Sequence, residues 1–151
     1  NSTYGPNDDF DLRSAHVLAA LIRRFAEASR SKAPSVMLWG SGTPRRELIH
    51  ADDVAEASLT LLQHDLSGVD LPINIGAGED YSIRELAELV ADIVGYRGTI
   101  SWDKSKPDGA PRKLLDSSRL LTLGWKPRVS LADGIRSTNR WFLEHEAEVL
   151  A

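Results

Sequence analysis

The chain has 151 residues, 42% apolar and 26% charged, which suits one globular domain with a core of its own and excludes a low-complexity or disordered polymer. Its formal net charge of −4 argues against a general nucleic-acid binder, whose footprint is a basic face, yet leaves room for a small anion met by a few converging arginines. No cysteine is present, which rules out disulfides and thiolate metal sites, and no apolar run approaches the roughly 18 residues of a membrane span.

Residues 1–11 are polar and turn-rich around Gly5-Pro6-Asn7-Asp8-Asp9. Ser14 is the expected N-cap of a helix reaching about residue 29, with Val17, Leu18, Leu21, Ile22 and Phe25 as its apolar stripe. Residues 36–39 read as a short buried strand, 40–44 as a turn and 46–49 as a second strand. Together they predict a hairpin with a long loop. A second helix is expected from Asp52, with Asp53 and Glu56 in its first turn and Val54, Leu61 and Leu62 on its apolar face.

Residues 71–75 read as a strand ending at Gly76-Ala77-Gly78. Ser82-Ile83-Arg84-Glu85 is a capping box that opens a helix burying Ile83, Leu86, Val90 and Ile93 and stopping at Gly95. A strand over 99–102 follows. A short helix over 117–123 stops at Gly124, and a last helix from Ser130 carries Ile135, Trp141 and Phe142. The pattern is mixed α/β, without repeats. The chain opens without Met and without a signal-like segment, so a cytoplasmic piece of a longer polypeptide is expected.

Several residues invite chemistry. His16 falls in the expected first helical turn, where the dipole disfavours imidazolium. It reads either as a neutral, proton-exchanging imidazole or as a helix-start residue bonded to a neighbouring loop. Arg23 and Arg24 lie two turns further on, the second rotated by about 80° from His16 at 3.6 residues per turn. One of them is placed to reach a phosphate along the helix, the other to face water. Trp39 before a Gly-rich turn and Arg46 on the return strand could floor a polar pocket, or could simply decorate a hairpin. Gly40-Ser41-Gly42-Thr43 is not a P-loop, because it lacks Lys-Ser/Thr and precedes a strand. The segment 104–113 brackets Asp108 with Lys104, Lys106, Arg112 and Lys113 and is stiffened by Pro107 and Pro111. It suits a diphosphate or a sugar hydroxyl, or is a solvated charged loop. The four His show no metal-ligand spacing, so no metal site is expected.

Taken in order, Tyr4-Gly5-Pro6-Asn7-Asp8-Asp9-Phe10, Ser14-Ala15-His16-Val17, Trp39-Gly40-Ser41-Gly42-Thr43-Pro44-Arg45-Arg46-Glu47, His50-Ala51-Asp52-Asp53 and Ser105-Lys106-Pro107-Asp108-Gly109-Ala110-Pro111-Arg112-Lys113 resemble the extended short-chain dehydrogenase/reductase family in its GDP-L-fucose synthase branch. The last segment is the specific one; nucleotide-sugar epimerases and dehydratases share relatives of the others. The resemblance implies a C-terminal substrate-binding lobe plus the last elements of a Rossmann-type sheet. It also implies a whole protein that epimerises and reduces GDP-4-keto-6-deoxy-D-mannose with NADPH, as a homodimer joined by upstream helices.

By the same resemblance His16 is catalytic, an epimerisation acid near the nicotinamide. Asn1, Ser2 and Thr3 fall where the family's Pro-Thr-Asn-Leu segment lines NADP, with different residues here. Arg24, Trp39, Arg46, Asp108 and Lys113 match positions at the GDP-sugar. The Gly-rich dinucleotide loop, the Ser and Tyr-x-x-x-Lys set and the partner cysteine of that family are not in this chain. Two rivals stand beside this reading: an enzyme of UDP- or dTDP-sugars, and a non-catalytic sensor or scaffold.

Overall fold

The computed structural model describes residues 1–68 and 72–150. Its elements in chain order are β1 (Ser2–Tyr4), α1 (Val17–Arg30), β2 (Ser35–Trp39), β3 (Arg45–His50), α2 (Ala51–Gln63), β4 (Asp80–Ser82), α3 (Ile83–Val94), β5 (Thr99–Asp103), β6 (Arg112–Lys113), α4 (Ser118–Thr122) and α5 (Leu131–Val149). The fold is mixed α/β, as the periodicities predict, and its parallel strands agree with the Rossmann-type sheet that the resemblance implies.

The strands form two sheets. β2 pairs in parallel with β5, Ser35 opposite Thr99 through to Trp39 opposite Asp103. β3 is the hub of the other sheet. Its second half pairs in parallel with β1, and its first half lies between antiparallel β4 and parallel β6. β6 therefore shares with β1 the edge of β3 opposite β4.

The predicted hairpin is not formed. β2 and β3 belong to different sheets, because β2 finds its partner some 60 residues on and the Gly40 N–H donates to the Asp103 carbonyl, carrying that ladder into the turn. The predicted strand over 71–75 is not present in its described part, Pro72 to Ile75, and Leu71 lies outside the described residues.

Three helices close the main core. Leu18, Leu21, Ile22 and Phe25 of α1, Leu86 and Val90 of α3, and Ile135 and Phe142 of α5 are buried together with Phe10. Phe10 packs on Phe142 with ring centroids 4.6 Å apart. Ser82 and Glu85 form the predicted capping box, and Gly95 ends α3 in the left-handed conformation. Ser130 caps α5 by accepting from the Asp133 N–H. Gly134 sits inside α5 although glycine weakens a helix, because a Cβ there would come within 2.1 Å of the Tyr4 hydroxyl oxygen.

A second cluster gathers Ile49, Ala57, Leu120 and Trp125. Leu62 does not join the apolar face of α2 and is 82% exposed, whereas Asp53, expected to serve the helix dipole, is buried. Its carboxylate accepts from the Arg128 and Val129 N–H groups and so ties α2 to the approach of α5.

α1 begins later than Ser14. The Ser14 hydroxyl donates to Asp9 Oδ2 at 2.6 Å and the Ala15 N–H is taken by the Asp11 carbonyl, so neither serves the helix. His16 becomes the N-cap, extended at φ −67° and ψ 162°, without a side-chain cap bond. The helix start thereby moves two positions on from the expected one, and His16 stands just before the first turn instead of within it.

Candidate functional site: an open groove between two sheets

The end of β2, the start of α3 and the outward side of α1 leave a groove. Val17, Ala20, Leu21 and Arg24 of α1 face Leu38 and Trp39 of β2 and Ile83 of α3 around a cavity of about 210 Å³. It continues into a second of the same size, lined by Gly42, Pro44, Arg46, Pro107, Asp108 and Gly109 and sharing Val17, Trp39 and Ile83 with the first. An apolar floor with a few polar groups converging on it is the usual build of a small-molecule site.

The arginine pair divides as helical geometry requires. Arg23 is held down by the Phe10 carbonyl at 2.9 Å and by Glu27 at 2.8 Å, so it is structural and not solvated. Arg24 lines the groove, with no ion pair among the described residues. Trp39 is 69% exposed, and Lys106 Nζ stands 5.7 Å from its ring centre. So large an indole left open at a groove wall is a surface on which a planar base or sugar face stacks.

Arg46 donates through Nη1 to its neighbour's carbonyl on Arg45 and to the Ala110 carbonyl, both at 2.7 Å, and has no carboxylate partner among the described residues. Lys113 is its register partner on β6, so both side chains leave the same face of the sheet. Asp108 accepts from the Ser41 N–H at 2.8 Å and from the Ser41 hydroxyl at 2.7 Å, and these bonds hold its carboxyl below the ordinary carboxylate range. Gly40 is required there: its φ is +81°, and a Cβ would lie 2.3 Å from Asp108 Oδ1. The segment 104–113 is therefore fastened to the β2–β3 turn by its one carboxylate, each oxygen of which has capacity for a further donor.

The structure thus brings Arg24, Trp39, Arg46 and Asp108 to one groove and sets Lys113 beside Arg46. His16 is exposed, one residue before Val17 of the groove. Nearby, burial pushes the Asp8 carboxyl up, against the Asp9 N–H and His16, which lower it. Asn1, Ser2 and Thr3 lie apart from the groove residues, on and before β1; Thr3 is exposed, and the Asn1 amide donates to the Ile75 carbonyl.

Sequence reasoning passed over Asp80 and Glu47. Both are buried carboxylates that accept from the segments on either side of Lys113. The alternation Arg45-Arg46-Glu47 was a signal that one face of β3 carries a charge network. The partner Asp80 could not be read, because its strand has three residues. Among the described residues no helix is long and apolar enough to cross a membrane, and no cluster of His, Asp and Glu could hold a metal ion.

The parallel strands feeding helices and the groove above them define a class: residues 1–76 match the NAD dependent epimerase/dehydratase family, and the chain belongs to it. Within that family it is similar to GDP-L-fucose synthase 1 of Arabidopsis thaliana, 52% identical over 142 residues, covering 94% of this chain and 43% of the relative. It is 49% identical to the GDP-L-fucose synthase of Escherichia coli K12, covering 95% of this chain and 47% of the relative. A solved structure of a GDP-L-fucose synthetase from Naegleria fowleri bound to NADP superposes with a TM-score of 0.85 at 26% identity, covering 97% of this chain and 46% of that one. The chain spans less than half the length of these relatives.

Proposed function

We propose that the whole protein carrying this chain converts GDP-4-keto-6-deoxy-D-mannose to GDP-L-fucose with NADPH, and that this chain is its C-terminal substrate-binding lobe. The observation that carries the reading is the groove itself. It joins an open indole to Arg24 and Arg46, neither of which has a carboxylate partner among the described residues, with Lys113 beside Arg46. Such a set fits a nucleotide sugar, whose base stacks and whose diphosphate needs cations. The similarity to enzymes named for GDP-L-fucose supports this choice of sugar.

A C4 ketone acidifies the protons on C3 and C5, so epimerisation needs a group that removes a proton on one face and another that returns it on the other. His16 is the acid this chain supplies, exposed beside the groove at the start of α1. Arg24, Arg46 and Lys113 neutralise the diphosphate, Trp39 holds one planar face, and Asp108 accepts from a hydroxyl.

The nicotinamide face is fitted by the exposed polar side chains of Asn1 and Thr3 at the sheet edge, the half-buried Ser2, and His16. When bound, NADPH supplies the hydride that reduces the C4 ketone. In the whole protein, cytoplasmic and dimeric by this reading, the dinucleotide-binding part precedes Asn1.

Arg46→Ala tests the assignment. It should weaken GDP-sugar binding by about 1.5–3 kcal/mol, the usual worth of a hydrogen bond to a charged group, while NADPH affinity stays put. Equal losses for both ligands in calorimetric titrations would point to a folding defect. An unchanged GDP-sugar affinity with UDP- or dTDP-sugars bound better would hand the site to a different nucleotide.

A further inference from the structure

The first half of β3 carries charge in alternation, and its neighbours continue the pattern. Arg45 and Glu47 leave one face, with Arg112 opposite Arg45 and Asp80 opposite Glu47. Arg46 and Lys113 leave the other. Strands in a sheet lie about 4.8 Å apart, so these two side chains leave the sheet as neighbours of like charge, and among the described residues neither forms an ion pair with a carboxylate. Two residues of parallel pairing are a weak tether for such a pair.

The tether is supplied from the opposite face. Asp80, 5% exposed at its side chain, accepts from Arg45 Nε through Oδ1 at 2.8 Å and from Arg112 Nε through Oδ2, and its backbone carbonyl takes Arg45 Nη2 at 2.7 Å. Arg45 also reaches Glu85 of the α3 capping box at 3.4 Å. On the far side of Lys113, the Leu115 N–H donates to Glu47 Oε2 at 3.1 Å, while Glu47 Oε1 takes the Gly78 N–H. Lys113 is thus clamped one residue before and two residues after. The two guanidiniums, Arg112 first, hold the Asp80 carboxyl below its ordinary range, so it is ionised wherever the protein is folded near neutrality.

We propose that Asp80 is a positioning residue: by clasping Arg45 and Arg112 it keeps β6 in register on β3, so that Arg46 and Lys113 stand as a preformed paired-cation seat for a diphosphate. Asp80 touches no ligand itself. Its effect is to remove the cost of bringing two like charges together when the anion binds. The proposal rests on the nucleotide-sugar reading of the groove and adds to it which buried group sets the affinity.

The test uses the whole protein carrying this chain, with GDP as the binding probe and the GDP-sugar as substrate. Asp80→Asn should raise the Kd for GDP and the KM for the sugar nucleotide about tenfold, within the range of coupling between contacting residues, with kcat and NADPH affinity unchanged. Asp80→Glu should recover part of the loss. In an Arg46→Ala, Lys113→Ala background Asp80→Asn should change nothing further, since no seat is left to hold.

If that double variant binds GDP as the wild type does, the nucleotide-sugar reading of the seat falls. If it loses GDP and Asp80→Asn does not, the role of Asp80 alone is overturned. Should Asp80→Asn unfold the protein, Arg112→Gln decides: it leaves Asp80 paired to Arg45, and an unchanged KM for the GDP-sugar at an unchanged Tm overturns the proposal.

Discussion

His16 shows how far a single residue is legible. Its neighbourhood in sequence predicts a first-turn imidazole, and the structure moves it to the N-cap, exposed, because Ser14 is captured by Asp9. A competing carboxylate five residues upstream cannot be weighed from helix signals alone. The chemistry proposed for it survives that shift, since an N-cap imidazole still stands at the positive end of the helix. His16→Gln in the whole protein should therefore suppress solvent-deuterium exchange into C3 or C5 by about 10²–10⁴-fold, the usual worth of a general acid. Exchange at the wild-type rate, read by mass spectrometry of the recovered nucleotide sugar, would reduce His16 to a structural cap. Arg23 and Arg24 separate on similar grounds: two adjacent cations differ by about 100° around the helix, and only one can face a groove.

At the scale of elements, long amphipathic helices were readable and short strands were not. α3 and α5 follow their caps and apolar spacing, and Phe142 ends fully buried as its position on the stripe requires. Phe142→Ala should lower the unfolding free energy by about 3–5 kcal/mol, measured by urea titration, because α1, α3 and α5 meet around it. β1, β4 and β6 have three, three and two residues, too few for any period to show, and exist only through their pairing with β3. The hairpin expectation failed for the same cause, since sequence proximity of two strands says nothing of which distant strand outbids the neighbour.

The clasp around β6 has its own signature in pH. Asp80 has a folded pKa below the unfolded value of about 3.9, so its contribution is complete above that value and lost as pH falls through the lower one. The difference in Tm between wild type and Asp80→Asn should hold constant from pH 8 to 5, begin to shrink below about pH 4 and disappear only below the lowered folded pKa. A difference that changed between pH 6 and 8 would assign the titration to another group.

On the scale of the whole molecule, two buried clusters flank β3, and the groove opens where its sheet meets the β2–β5 pair. That arrangement gathers residues 24, 39, 46 and 108; the local pattern around the Gly-rich turn connects only Trp39 with Arg46, and the grouping of all four was legible only through resemblance to a family. By the function proposed above, this groove serves the conversion of GDP-4-keto-6-deoxy-D-mannose to GDP-L-fucose. The whole protein, given that substrate and NADPH in deuterated water, tests it most directly. The expected result is oxidation of one NADPH per GDP-L-fucose formed, with deuterium at C3 and C5 of the sugar. No NADPH oxidation with this substrate, alongside turnover of a UDP- or dTDP-linked 4-keto sugar, would contradict it.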